Sequence, residues 1–152
     1  TILKWVILLF VLNILVTGIG GMFLDSSTLD ENTTAIYSLF EVSTIYTIFK
    51  TLIFASIAEE LLFKESLRSV ISNDALFLLV STFLYAFMNI AYADWNLNVV
   101  LLDFLSYASF SLVLGIAYLR NKSNIMIPIF VKFVYNLIPT TLLILTAVGV
   151  IQ

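Results

Sequence analysis

The 152-residue sequence contains no cysteine and no histidine. The first absence excludes disulfides and thiolate metal sites and leaves the redox compartment unreadable. The second removes the commonest proton shuttle, the Ser-His and Cys-His nucleophile systems and the usual zinc ligands. No metal ion and no cofactor is expected. Charge is scarce as well: 11% of residues are charged, and the net charge is −3. The acidic residues outside the apolar runs are too scattered to suggest a polyanion partner, so no nucleic acid is expected.

What is abundant is apolar. Hydrophobic residues make up 61% of the chain, and the mean hydropathy is +1.08. A soluble domain of this length cannot hide that much apolar surface. The expected class is therefore an all-α polytopic membrane protein whose first partner is the lipid bilayer. Apolar residues run continuously rather than alternating, which excludes a β-barrel. No internal repeat or low-complexity tract is visible, so residues 1–152 read as a single transmembrane domain. The chain opens at Thr1 inside a hydrophobic run and is expected to be a piece of a longer protein. Ile2 to Phe23 lacks a small-residue cleavage site and reads as a span rather than a signal peptide.

About five spans are expected. The first runs from Ile2 to Leu24, with Trp5 as an interfacial anchor beside Lys4. Gly18, Gly20 and Gly21 mark where a neighbouring helix could approach closely. Asp25 to Thr34 reads as a polar, acidic loop. Ala35 to Phe63 stays apolar over roughly 43 Å at helical rise, beyond the ~30 Å of a hydrocarbon layer. It is either one steeply tilted helix or two pieces with a bend near Lys50; Glu41 and Lys50 are placed near the interfaces. Lys64 to Asp74 reads as a short amphipathic connector. Ala75 to Tyr92, Val99 to Leu119 and Asn124 to Gln152 are the remaining spans. Between them lie a wet loop at Ala93 to Asn98 and a tight basic turn at Arg120 to Ser123, and Pro139 marks a kink. Lys4, Lys64, Arg68, Arg120 and Lys122 fall on one side; Asp25, Asp30, Glu31 and Asp94 fall on the other. The excess of basic residues on one side predicts a cytoplasmic N-terminus.

The stretch that organises the chain is Glu59-Glu60, two carboxylates inside an apolar run. Ionised groups at membrane depth survive only with a partner or a purpose. Successive residues sit roughly 100° apart on a helix, so the two glutamates cannot share a face. Glu60 is expected to reach Lys64 as an i,i+4 pair. Glu59 must look elsewhere. Two further polar pairs recur at i,i+4 spacing, Tyr85 with Asn89 and Lys132 with Asn136, and each places its polar atoms on one face of a span. Polar groups in hydrocarbon seek one another, so all three faces are expected to meet at one centre, with Lys132 as the candidate partner of Glu59. Tyr85 itself is read as packing.

Glu59-Glu60-Leu-Leu-Phe-Lys64, Tyr85-Ala-Phe-Met-Asn89 and Lys132-Phe-Val-Tyr-Asn136 occur in that order on successive spans. The succession resembles the CAAX-protease and bacteriocin-processing (CPBP, or Abi) family of intramembrane glutamate-dependent proteases, whose motifs read Glu-Glu-x-x-x-Arg, Phe-x-x-x-His and His-x-x-x-Asn. The segment from Leu112 through Gly115 to Arg120 is similar to that family's glycine-containing span and basic turn. The resemblance covers about residues 56–140. It implies the family's helical core and a site made of Glu59, Glu60, Asn89, Lys132 and Asn136, with Glu59 where the water-activating glutamate stands. It also implies a place in a bacterial plasma membrane. Both histidine positions depart from the pattern, as Asn89 and Lys132, and the motif arginine is Lys64. Asparagine cannot exchange a proton near neutral pH, and a lysine bonded to Glu59 leaves a poor base. The expectation is a pseudoprotease that binds or regulates another membrane protein or peptide, within the family's range of bacteriocin immunity, peptide maturation and envelope regulation. The alternatives are an active glutamate-dependent intramembrane endopeptidase and a small transporter subunit.

Overall fold

The computed structural model describes residues 2–23, 31–91 and 97–147, and every described element is helical. The chain forms α1 (Ile2–Phe23), α2 (Glu31–Val42), a continuous helix α3 over residues 44–70, α4 (Asp74–Ile90), α5 (Leu97–Arg120) and α6 (Met126–Ala147). Among the described residues, three helices are long and apolar enough to cross a membrane: Ile2–Met22, Val99–Arg120 and Met126–Leu145. Helix α4 is apolar but has 17 residues. The protein is an all-α membrane helical bundle, as its composition requires. Asp25 to Asp30 and Asp94 and Trp95 lie outside the described residues. Glu31 to Thr34, expected as loop, already belong to α2.

Helix α3 resolves the long apolar run differently from the sequence reading. The break falls at Ser43, whose backbone is extended (φ −157°, ψ 97°), and not near Lys50. From Thr44 onward the chain alternates α and π turns without interruption: Thr44–Ile48, then π over Phe49–Phe54, α over Ala55–Glu60, π over Leu61–Ser66, and α to Val70. The junction residues Phe49, Ala55, Leu61 and Leu67 all keep right-handed helical dihedrals. At about 1.5 Å per residue the helix reaches roughly 40 Å, enough to span. The expected connector after Phe63 is therefore helix as far as Val70. π turns are rare and gather at functional sites. Here two of them bracket the segment that carries Glu59 and Glu60. Their wider winding keeps one face inward: Thr47, Leu52, Ser56, Glu60 and Lys64 are all buried. The step from Thr47 to Leu52 is five residues, the period of a π turn, and the later steps are four.

Local chemistry fixes the ends. Arg68 donates to the Ser72 carbonyl at 2.9 Å and pairs with Asp74 at 2.7 Å, while the Asn73 side chain accepts from the Leu76 amide at 2.9 Å as an N-cap for α4. Between α5 and α6 the expected tight turn is present. Lys122 and Ser123 take left-handed dihedrals (φ 60° and 55°), and the Ser123 amide closes back on the Tyr118 carbonyl at 3.0 Å. Helix α6 starts at Met126 and runs on through Pro139, which has no amide to offer the Tyr135 carbonyl.

Helices α4 and α5 pack as neighbours, α1 lies on α5 and α6, and α3 lies against α6 and α4. Trp5, Val6 and Leu9 of α1 form one buried cluster with Val113, Leu114 and Ala117 of α5 and Val131 of α6. Trp5 is 3% exposed, so it is a core residue and not the interfacial anchor expected of it. At the other end of α1 a Cβ at Gly20 would meet a methyl of Leu102 on α5, whereas Gly18 faces open space, so of the expected small-residue positions Gly20 and not Gly18 lies at the α1–α5 contact. The outward faces carry Ile14, Met22, Leu79 and Phe83, each more than half exposed. In a bilayer these side chains meet lipid tails.

Candidate polar site within the bundle

The inward face of α3 delivers two carboxylates and an ammonium to the centre of the bundle, and α6 delivers a second ammonium. The Lys132 Nζ donates to Glu59 Oε2 at 2.7 Å, to Glu60 Oε1 at 3.3 Å and to the Tyr85 hydroxyl at 3.3 Å. An ammonium has three hydrogens, so these three acceptors saturate it. The same nitrogen stands 4.8 Å from the Tyr85 ring centre and 5.8 Å from that of Phe110, a cation–π arrangement within a desolvated pocket. Phe63 and Tyr107 meet the Tyr85 ring edge-on, and Phe110 lies nearly parallel to it.

Lys64 behaves otherwise than its spacing predicted. It is completely buried, and among the described residues its bond goes to Ser111 and not to Glu60. Its Nζ donates to Ser111 Oγ at 2.8 Å, and Ser111 in turn donates to the Ser81 carbonyl at 3.5 Å. The expected Glu60–Lys64 pair is thus replaced by two links: Glu60 to Lys132, and Lys64 to α5. The Lys64 stem passes Gly115, where an added Cβ would come within 3.7 Å of the Lys64 Cε and 2.8 Å of a Leu78 methyl. The first distance is ordinary contact and the second is not, so Gly115 makes room for Leu78 of α4 while the lysine stem passes alongside. Because Lys64 is buried, the basic residues outside the core that are expected on one side reduce to Lys4, Arg68, Arg120 and Lys122. With two carboxylates and two ammoniums, the core is charge-balanced as a set of four, which is how ionisable groups persist at this depth.

Of the residues singled out from sequence, Glu59, Glu60 and Lys132 meet directly. Asn136, one turn along from Lys132, donates to the Thr51 carbonyl at 3.2 Å and so ties α6 to α3 beside the site. Asn89 does not turn toward Lys132; its amide donates to the Tyr85 carbonyl of its own helix at 2.8 Å. Tyr85, read from sequence as packing, is a bonded member of the site. Its signal was present, since it opens the Tyr-x-x-x-Asn motif. Ser111 gave no signal: a lone serine in an apolar span has no partner until Lys64 is seen to turn inward. Two buried oxygens, Ser56 Oγ and Glu60 Oε2, are one helical turn apart and have no hydrogen bond within the structure.

Chemically, the arrangement holds two carboxylates still. Glu59 is one-third exposed and could face a ligand, but its Oε2 is occupied by an ammonium at hydrogen-bond distance. Among the described residues no cluster of carboxylates suited to a metal ion is present.

A bundle with apolar outer faces and paired charges at its centre defines an integral membrane protein with an ionisable intramembrane site. The family follows from comparison. The model for type II CAAX prenyl endopeptidase Rce1-like proteins matches residues 41–138, a stretch that contains all the polar residues just described. The chain belongs to this family. No curated protein and no solved structure matches it.

Proposed function

We propose that this chain is a non-catalytic member of its family, a membrane protein that binds or regulates another membrane protein or peptide. The observation that carries this reading is the saturation of Lys132. Where the family pattern has a histidine, a lysine gives all three ammonium hydrogens to Glu59, Glu60 and Tyr85. A general base takes its proton on a lone pair within reach; Glu59 keeps only Oε1 for that, because Oε2 is held by the Lys132 ammonium. With Asn89 in the other histidine position, no side chain near Glu59 can shuttle a proton at neutral pH. The range of partners that the family resemblance implies includes bacteriocin precursors and envelope proteins of a bacterial plasma membrane.

Incubation of the purified protein with prenylated peptides and bacteriocin-precursor peptides should give no cleavage, with or without chelator. Turnover that disappears in Glu59→Gln would overturn the reading in favour of an active glutamate-dependent endopeptidase. The N-terminus is placed in the cytoplasm on the basic residues Lys4, Arg68, Arg120 and Lys122. A single cysteine introduced at Ser123 should label from the cytoplasmic side, and labelling from outside would reverse the orientation.

A further inference from the structure

Three of the four charged side chains in the core are sealed. Lys64 is not exposed at all, and the side chains of Glu60 and Lys132 are 1% and 3% exposed. Glu59 differs: 35% of its side chain reaches the surface of the bundle. It lies nine residues before Arg68 on α3, about 13 Å along the helix. The exposed charges on α3 that bracket it are Lys50, nine residues before, and Glu65, six residues after, so it sits within a stretch of about 22 Å with no other charge at its surface, on a helix long enough to cross a layer ~30 Å thick. Glutamate lacks the long aliphatic stem on which lysine and arginine snorkel. Its Oε2 is bonded to Lys132, while Oε1 has no hydrogen bond among the described residues. Beside it on α3 lie half-buried Ala55, one turn before, and Ala58, on the adjoining edge, with Leu62 56% exposed one turn after. This face offers a hydrogen-bond acceptor flanked by small side chains, which let a second helix backbone come close.

The charge of the occupant follows from the charge of the cluster. Glu59 and Glu60 are already balanced by Lys64 and Lys132. A cation brought to Glu59 would have to enter hydrocarbon and leave the cluster net positive, at a cost no remaining carboxylate offsets. An amide or hydroxyl donor enters far more cheaply and satisfies the same oxygen. We propose that the Ala55–Ala58–Glu59–Leu62 face docks a transmembrane helix of a partner protein that presents an uncharged side-chain donor at the depth of Glu59. This rests on the partner-binding reading above and adds the chemistry of the contact.

The test uses the full chain in liposomes with synthetic leucine-alanine transmembrane peptides that carry glutamine, leucine or lysine at the central position. Association is followed by energy transfer between the protein and labelled peptide. Interhelical hydrogen bonds in membranes are modest, so the glutamine peptide should bind about threefold to tenfold more tightly than the leucine peptide. The preference should vanish in Glu59→Met, in which Lys132 keeps Glu60 and Tyr85. It should also vanish in Ala58→Leu, which leaves every core bond in place and blocks the approach, so the outcome does not depend on whether Glu59→Met folds. Equal binding of glutamine and leucine peptides would overturn the donor while leaving partner binding standing. Tighter binding of the lysine peptide would overturn the neutral chemistry. Self-association abolished by Ala58→Leu would assign the face to a second copy and overturn the proposal. Cleavage activity, the test of the broader reading, is a separate readout.

Discussion

Two buried regions among the described residues are built from opposite materials. Between α1, α5 and α6, Trp5, Val6, Leu9, Val113, Leu114, Ala117 and Val131 fill space with carbon. Between α3, α4, α5 and α6, Glu60, Lys64, Lys132, Tyr85 and Ser111 fill it with charge and hydroxyl. In the first region each side chain contributes through shape, and neighbours are interchangeable if volume is kept. In the second each side chain depends on a named partner, because a lone charge in this medium is far more costly than a small void. The contacts that set the register of α3 are therefore the polar ones. An apolar seam tolerates a slip, whereas Lys132, which must find two carboxylates and a phenol at once, does not. That one lysine holds α3, α4 and α6 to a single arrangement.

The polar region is most sensitive at Lys132. Lys132→Met strands Glu60, whose carboxylate is buried, and should lower stability by about 3–5 kcal/mol, read as lost folded yield and an earlier thermal transition in detergent. Because Lys132 contacts both glutamates, the compensating change is Glu60→Gln. Glu59→Gln, at a carboxylate already one-third exposed, should rescue less. In the apolar region Leu114→Ala should cost about 2–3 kcal/mol by the loss of packing, and no change of charge elsewhere should recover it. If Leu114→Ala were rescued by removing a core charge, the two regions would not be independent. The smallest effect is expected from Glu59→Gln alone, about 1 kcal/mol, the worth of one hydrogen bond once Lys132 keeps Glu60 and Tyr85. A loss as large as that of Lys132→Met would make Glu59 the main counter-ion and reverse the ranking.

Much of this was legible from residue type and spacing. Continuous apolar runs gave the membrane class, and two carboxylates and a lysine with no other outlet gave the Glu59–Lys132 contact. Other features were hidden for physical reasons. The i,i+4 rule assigned Lys64 to Glu60, but a π turn begins at Leu61, and nothing in Leu-Leu-Phe-Lys-Glu-Ser announces it. Trp5 beside Lys4 fits an interfacial anchor as well as a core residue, because either site accepts a large ring. The packing of α1 on α5 decides between them. The break at Ser43 was misplaced because serine in an apolar run carries no strong stop signal, whereas Lys50 drew attention by its charge. Asn89 shares a motif with Tyr85, yet a short amide can bond back to its own helix, and here it does.

Closure of the polar core depends on the contact between Lys132 and Glu60, and a double-mutant cycle on these two residues measures it. Thermal unfolding in detergent would be measured for the wild type, Lys132→Met, Glu60→Gln and the double variant. The predicted result is strong non-additivity: each single change is destabilising, and the double variant regains much of what Lys132→Met loses. Additive losses with no recovery would contradict it, since they would mean that the ammonium and the buried carboxylate do not neutralise each other and that the polar core is not closed by Lys132.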